Sequence, residues 1–460
     1  YKLKGVAEHF SAFPDGAWKV QLQGWAREEP YDQAKYNAYK QEIVKVYSEA
    51  WDKIPPEFRP DHVFFFPEPH ISLRLTTGNY PEYWGGKPYE YTQDEKDNLR
   101  VFTVTAKAAA EAIREKWPHI KVLMPWGDPL FIVPFLRSGA MKGLIDGSGL
   151  DICGFERLPE QQLHQISLHR LYQLKNEYAK AGMANPTLIY CEGIFVPTGV
   201  GGCSWREQMD IYSRFTLISM AYGVTRFYAS WSAFDAASYY GAEHYACAGI
   251  FRRIPYCDPK PSYAAYSTMS DRLNQANFDG WLKTGSLSTY ALRFKGPKGN
   301  VCTLWTIRGK RPVTLTLGAD AAVQVTDSMN NTRVVKSVDK KVTIVTDPSV
   351  TYLTAAGDIT EIEPGAPDHS DAAPAAGAIQ VADLGDGTWR YTSKTDKSYE
   401  ENGFGIVRFP GKFTSSVVSN SDQGNVLVST LEKQDTVHEL MPWSNILAPK
   451  KPIVLPGVPS

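Results

Sequence analysis

Short, almost wholly apolar runs alternate with stretches of helical period from residue 1 to about 280. The runs are HVFFF (62–66), HIKVLMPWG (119–127), LDICGFERL (150–158), TLIYCEGIF (187–195) and VTRFYASWS (224–232), with a shorter candidate, WKVQLQGWA, at 18–26. Runs of strand length without polar alternation mark strands covered on both faces, as in parallel sheets. The intervening segments read as helices. One runs from about Asp32 to Trp51, and another covers 91–117 with an apolar stripe of Leu99, Phe102, Val104, Ala106, Ala109, Ala110 and Ile113. Repeated βα units of this size build a parallel sheet or a closed (β/α)8 TIM barrel. Six strands are two short of eight, so a barrel would need its first two βα units upstream of Tyr1 or in an associated partner chain.

Beyond about residue 280 the period falls to two. STYALRF (288–294), NVCTLWTI (300–307), PVTLTLG (312–318), AAVQVTD (321–327) and KVTIVTD (341–347) are short strands divided by turn residues, the pattern of an antiparallel β-sandwich. EPGAPDHSDAAPAAGA (363–378) is poor in large apolar residues and reads as a linker. DGTWRYTS, FGIVRFPGKF and GNVLVSTL then suggest a second β domain, and KKPIVLPGVPS reads as a further linker. The expected organisation is a barrel over 1–283, a β-sandwich over 284–356, a linker over 357–378 and a second β domain over 379–460, either carbohydrate-binding or packed on the barrel.

Composition narrows the class of partner. A net charge of −1 argues against nucleic acid or an anionic membrane surface. No apolar run approaches the roughly 18–20 residues of a membrane span. The six cysteines form no CxxC pair and no cluster of zinc spacing, so neither a structural metal nor a cofactor is expected. Cys153 and Cys191 fall within strands and read as buried thiols, whereas Cys203, Cys247 and Cys257 lie in loops where an exported protein could form one disulfide. Twelve Trp, 25 Tyr and 20 Phe suit sugar faces, although core packing is the commoner use of aromatic rings. The first residues, YKLKGVAEHF, lack the features of a signal peptide.

Chemistry gathers where the strands end. In FFFPEPH, Pro67 and Pro69 remove backbone donors and stop the ladder, leaving Glu68 at the carboxyl end of its strand. A lone acid there is more often a surface residue. The other strands end alike, in Trp126 with Asp128, Glu156 with Arg157, Glu192, and Trp231. A barrel brings all such ends to one mouth.

The segment NPTLIYCEG (185–193) resembles the nucleophile strand of retaining glycoside hydrolases of clan A, most like the family 39 xylosidase and iduronidase group. PEPH with the helix EYTQDEKDNLRVFTVTAKAAAEAIREKW resembles that clan's acid/base strand and its following helix. REQMDIYSRFTLISMAYGVTRFYASWSAFD and DPKPSYAAYSTM resemble its last helix, its eighth strand and its closing Lys-Pro-x-Tyr segment. The likeness covers roughly residues 15–280. It implies Glu68 as general acid/base, Glu192 as nucleophile, a carbohydrate substrate, and a secreted, periplasmic or cell-surface location.

Two positions depart from the clan pattern. Pro67 stands where the clan usually has an Asn that bonds the sugar 2-hydroxyl, and Glu156 with Arg157 stand where relatives commonly carry His and an aromatic. Recognition of the reactive sugar has therefore changed. His70 either replaces the missing Asn or is a turn residue, and Asp128 either binds a hydroxyl or caps a helix. Trp126 and Trp231 are candidates for sugar stacking. Arg157 either pairs with Glu156 or Glu160 as structure or faces an anionic sugar, and in the second case a uronate-bearing or sulfated glycan is the expected substrate. Two other functions remain open: a binding protein derived from a glycosidase, and a transglycosylase using the same two acids.

Overall fold

The computed structural model describes residues 22–64, 90–124, 132–151, 159–161, 168–192, 196, 198, 203–227, 233–235, 247–253, 256–286, 289–297, 299–307 and 309–366, and short strands between 379 and 455. No described helix is long and apolar enough to cross a membrane. The chain divides into two compact units, Tyr1–Phe155 with Gln165–Phe195 and Tyr222–Ser232, and Glu156–His164 with Val196–Ala221 and Ala233–Ser460.

The first unit carries a parallel five-stranded sheet whose strands lie in sequence order: β1 (His62–Phe64), β2 (Lys121–Met124), β3 (Gly147–Asp151), β4 (Thr187–Glu192) and β5 (Val224–Phe227). Four of these fall inside the apolar runs. β3 begins three residues ahead of the run at 150–158, because Gly147 and Gly149 hide the strand from a count of apolar residues. Gly147 is there for space: a Cβ at this position would lie 1.8 Å from the carbonyl oxygen of Thr187 on β4. Only glycine permits so close an approach of two strands. Gly147→Ala is expected to push β3 from β4 and lower stability by about 1–3 kcal/mol, read by urea denaturation. The strand expected at 18–26 does not form where it is described, since Gly24–Arg27 is a 3-10 turn.

The helices of this unit are α1 (Gln33–Trp51), α2 (Gln93–Lys116), α3 (Val133–Ser138) and α4 (Leu168–Lys180). Asp32 caps α1 by accepting from the amides of Ala34 and Lys35 at 2.8 and 3.1 Å. Thr92 and Glu95 close a capping box on α2, which places acids in its first turn and Arg114 and Lys116 in its last, in accord with the helix dipole. Phe102, Ala106, Ala109, Ala110 and Ile113 are buried as the stripe predicts, joined by Val101, Ala108 and Ala112, while Leu99 and Val104 are half-buried. Aromatic residues fill this core. Trp51 packs edge-on against Trp117 at 4.6 Å, and Phe102 meets Phe135 at 4.6 Å.

An ion pair shows that the sheet is curved. Arg226 on β5 donates to both carboxylate oxygens of Asp61, just before β1, at 3.1 and 2.6 Å. In a flat sheet of five the outer strands would stand roughly 19 Å apart. An arginine and an aspartate so joined span at most roughly 13 Å between Cα atoms. The sheet therefore curls its first strand toward its last at the amino-terminal end.

Among the described residues the second unit holds α5 (Trp205–Ala221), α6 (Pro261–Arg272) and four antiparallel sheets, two of them within residues 277–364. The six-stranded sheet runs in the order β11 (Thr332–Lys336), β10 (Ala322–Thr326), β13 (Thr351–Ala355), β8 (Gly299–Thr306), β7 (Thr289–Gly296) and β6 (Asn277–Trp281). The three-stranded sheet runs β12 (Lys341–Thr346), β9 (Arg311–Leu317) and β14 (Ile359–Pro364). Both contribute to one apolar cluster, with Cys302, Leu304 and Val323 from the larger and Val313, Leu315, Val342 and Ile344 from the smaller. Strict alternation along β12 and β9 puts one face of each into that cluster. Residues 359–364, read as the start of a linker, instead form β14. Among the described residues, seven further strands between Ile379 and Leu455 form the other two sheets. Pro452–Leu455, read as part of a linker, pairs with Trp389–Thr392 and is a strand.

Candidate active site

The carboxyl ends of β1 to β5 share one edge of the curved sheet. In register there, Phe64 pairs with Leu123, Met124 with Ser148, Asp151 with Glu192, and Tyr190 with Phe227. Leu188, Ile189 and Tyr190 are all buried, so β4 is an apolar rod whose one charged residue, Glu192, closes it. Tyr190 is braced by the Phe227 ring, edge-on at 5.2 Å. The carboxyl edge of a parallel sheet is where α/β folds meet their ligands.

Two irregularities flank β4. Between Leu150 and Asp151 the partner on β4 jumps from Tyr190 to Glu192, which leaves Cys191 as an extra residue. Between Leu188 and Ile189 the partner on β5 passes from Val224 to Arg226, leaving Thr225 extra. Such bulges bend a strand and re-aim the residues near its end. Nothing in TLIYCE announces them, since neither contains glycine. Asp151 was also passed over by the sequence reading, which put it inside the run at 150–158. It is the last residue of β3 and stands opposite Glu192.

The backbone of Glu192 is thus placed on the expected edge. Glu68 and His70 follow β1 in sequence, Trp126 and Asp128 follow β2, Glu156 and Arg157 follow β3, and Trp231 follows β5; all seven lie outside the described residues, as does the side chain of Glu192. Glu160, an acid weighed as a structural partner for Arg157, is engaged by Arg214 at 2.9 Å and by the Trp305 indole at 2.7 Å.

Charges at the amino edge answer one another. Asp61 binds Arg226 and His62, Arg114 binds Asp146 at 2.6 Å, the same Asp146 oxygen accepts the Val122 amide at 2.9 Å, and Lys121 donates to Thr187 at 3.2 Å. Burial raises the Asp61 carboxyl, but the bonds from Arg226 and His62 outweigh it and hold the group at about 2. This edge is stitched by structural pairs.

In the second unit α5 carries a buried polar cluster of its own. Asp210, 5% exposed, accepts from Ser349 and lies 3.8 Å from Arg206, which also binds Asp347 at 2.7 Å. Burial pushes the Asp210 carboxyl up to about 6, with Arg214 and Ser349 opposing the rise. A raised acid stabilises the fold when protonated, so its contribution is full below the unfolded value near 4 and is lost as pH rises through about 6. Between pH 4 and 7 that loss amounts to about 2–3 kcal/mol. Asp210→Asn should flatten this part of the stability profile, read as Tm against pH. Equal slopes in both proteins would show that Asp210 does not titrate there.

No family model matches the chain, and no curated protein matches it. The solved structures to which it is similar include a family 39 glycoside hydrolase from the gut symbiont Bacteroides cellulosilyticus WH2, at 16% identity and a TM-score of 0.48 over 72% of this chain and 73% of that one. A GH30 endoxylanase from Clostridium papyrosolvens C71 is similar at 12% identity and 0.46, over 71% and 72% of the two chains. A family 5 glycoside hydrolase from Bacteroides vulgatus ATCC 8482 is similar at 11% and 0.41, over 70% and 68%.

Proposed function

We propose that the chain is a retaining glycoside hydrolase that cleaves a polysaccharide or oligosaccharide by double displacement. The supporting observation is the position of Glu192, which closes a buried parallel strand on the edge where all five carboxyl ends meet. In this reading the curved sheet is part of a (β/α)8 barrel, whose portion in this chain lies within residues 1–283, and β domains follow it. The enzyme acts outside the cytoplasm on glycans.

Glu192 is the nucleophile and Glu68 the general acid/base. The Glu192 carboxylate attacks the anomeric carbon while Glu68 delivers its proton to the leaving oxygen. Glu68, now ionised, then takes a proton from the water that releases the glycosyl group from Glu192. Such a pair needs about 5–5.5 Å between carboxyl groups, and environments that keep one protonated while the other is ionised. Trp126 and Trp231 supply stacking faces, His70 and Asp128 polar contacts, and Glu156 with Arg157 recognise the sugar's substituents.

Incubation with a panel of neutral and acidic glycans, following reducing ends and product sizes, tests the reading. Net release of reducing ends by the wild type and not by Glu192→Ala is expected. Binding without cleavage would make the chain a carbohydrate-binding protein, and products longer than the substrate would make it a transglycosylase.

A further inference from the structure

Two buried acids of the second unit face one buried guanidinium. Arg214 on α5, 3% exposed, has its Nε 2.9 Å from Glu160 and donates through Nη1 to the Pro348 carbonyl at 3.2 Å. Asp210 stands one turn earlier on the same helix, so the Arg214 charge bears on both acids. At the rim of the group the charges are matched, since Arg206 is exposed and binds Asp347 at 2.7 Å. With that pair set aside, ionised Glu160 and ionised Asp210 would leave one negative charge without a counter-charge inside the fold.

The bonding of Glu160 carries the same sign. The Trp305 indole of β8 and the Arg214 guanidinium both meet Oε1, while Oε2 is buried and accepts from no group among the described residues. A buried anionic oxygen without a donor is costly, and a proton on the acid removes its charge. Burial raises the Glu160 carboxyl against the opposing pull of Arg214, the backbone and Trp305, just as it raises Asp210. The second acid to ionise must also do so beside the first.

We propose that this junction takes up one proton in mildly acid solution, held by Glu160 and Asp210 together, and that its loss loosens the connection between β12 and β13 from α5. Every tie of that connection to the helix runs through a group that would feel the new charge. Ser349 donates to Asp210, Pro348 accepts from Arg214, and Asp347 binds Arg206. Asp347 also repels an ionised Asp210. Loss of the proton therefore sets two acids against each other for Arg214 and adds repulsion toward Asp347. Because the fold raises both acids, their contribution is full below the unfolded values of about 4 and is lost as pH rises through about 6.

Indole resonances and amide exchange of the whole chain test it. The Trp305 Nε1–H signal, identified by its loss in Trp305→Phe, is expected to titrate in the wild type with one midpoint near about pH 6. Asp210→Asn and Glu160→Gln keep the shape of each side chain and leave one acid for one guanidinium. Either variant should lower the midpoint by at least about one pH unit. Corrected for the intrinsic effect of pH on exchange, the Ser349 amide should be at least about 10-fold less protected at about pH 8 than at about pH 5 in the wild type, and equally protected at both in the variants. A Trp305 signal that is flat across this range would overturn the proton. A midpoint unmoved by Glu160→Gln would overturn its sharing, and a titration with constant protection at Ser349 would overturn the loosening. If one variant fails to fold, the other and the wild-type profiles still decide.

Discussion

Glu192→Ala is expected to lose turnover by at least about 10,000-fold, because the variant lacks the carboxylate that forms the covalent intermediate. Sodium azide should restore part of the activity. A small anion can enter the space left by the carboxylate and attack the anomeric carbon, and the product is then a glycosyl azide of inverted configuration. Glu68→Ala should behave differently. Substrates with good leaving groups, which need no proton in the first step, should be spared in that step. Near wild-type activity of Glu192→Ala would show that the strand-end acid is structural. Azide rescue by product analysis is the sharper readout, since misfolding also removes activity but yields no glycosyl azide.

Arg157→Ala is expected to raise the Michaelis constant about 10-fold to 100-fold on an acidic glycan and to change it little on a neutral one. A guanidinium stays charged at ordinary pH and grips carboxylate or sulfate through a planar fork of donors. Charge-assisted bonds of this type contribute about 1.5–3 kcal/mol, and each 1.4 kcal/mol is tenfold in affinity. Pro67 points the same way, because a sugar with a substituted or axial 2-position gains less from the Asn that it replaces. Glu160, the other acid beside Arg157 in sequence, already has Arg214 and Trp305 as partners. Equal kinetics of wild type and variant on acidic glycans, or a wild-type preference for neutral xylan- or galactan-type chains, would remove the acidic-substrate reading.

The parallel strands were legible where burial on both faces makes the sequence continuously apolar, as in LIY of β4 and VLM of β2. β3 was misread by three residues because its glycines answer to the close approach of Thr187, a tertiary demand that leaves no periodic trace. β21 (Pro452–Leu455) was taken for linker on account of its prolines. It lies at the edge of a sheet with Pro452 as its first residue, where a missing amide costs no ladder bond. The carboxyl edge of the sheet was legible as a row of strand ends, since that needs only the strands and their direction. The buried ion pairs and hydrogen bonds of the second unit were not. Lys260 meets Asp235 across 25 residues and Trp305 meets Glu160 across 145, and no local pattern records such a meeting.

Mass spectrometry of a trapped intermediate addresses the role of Glu192 most directly. The wild-type protein would be incubated with 2-deoxy-2-fluoro glycosyl fluorides, neutral and uronic, whose slow second step lets the glycosyl-enzyme accumulate. The expected result is one added fluoroglycosyl group, mapped by peptide sequencing to Glu192 and absent from Glu192→Ala. A label on any other residue, or full hydrolysis of natural glycan with the anomeric configuration inverted, would contradict the assignment of Glu192 as nucleophile.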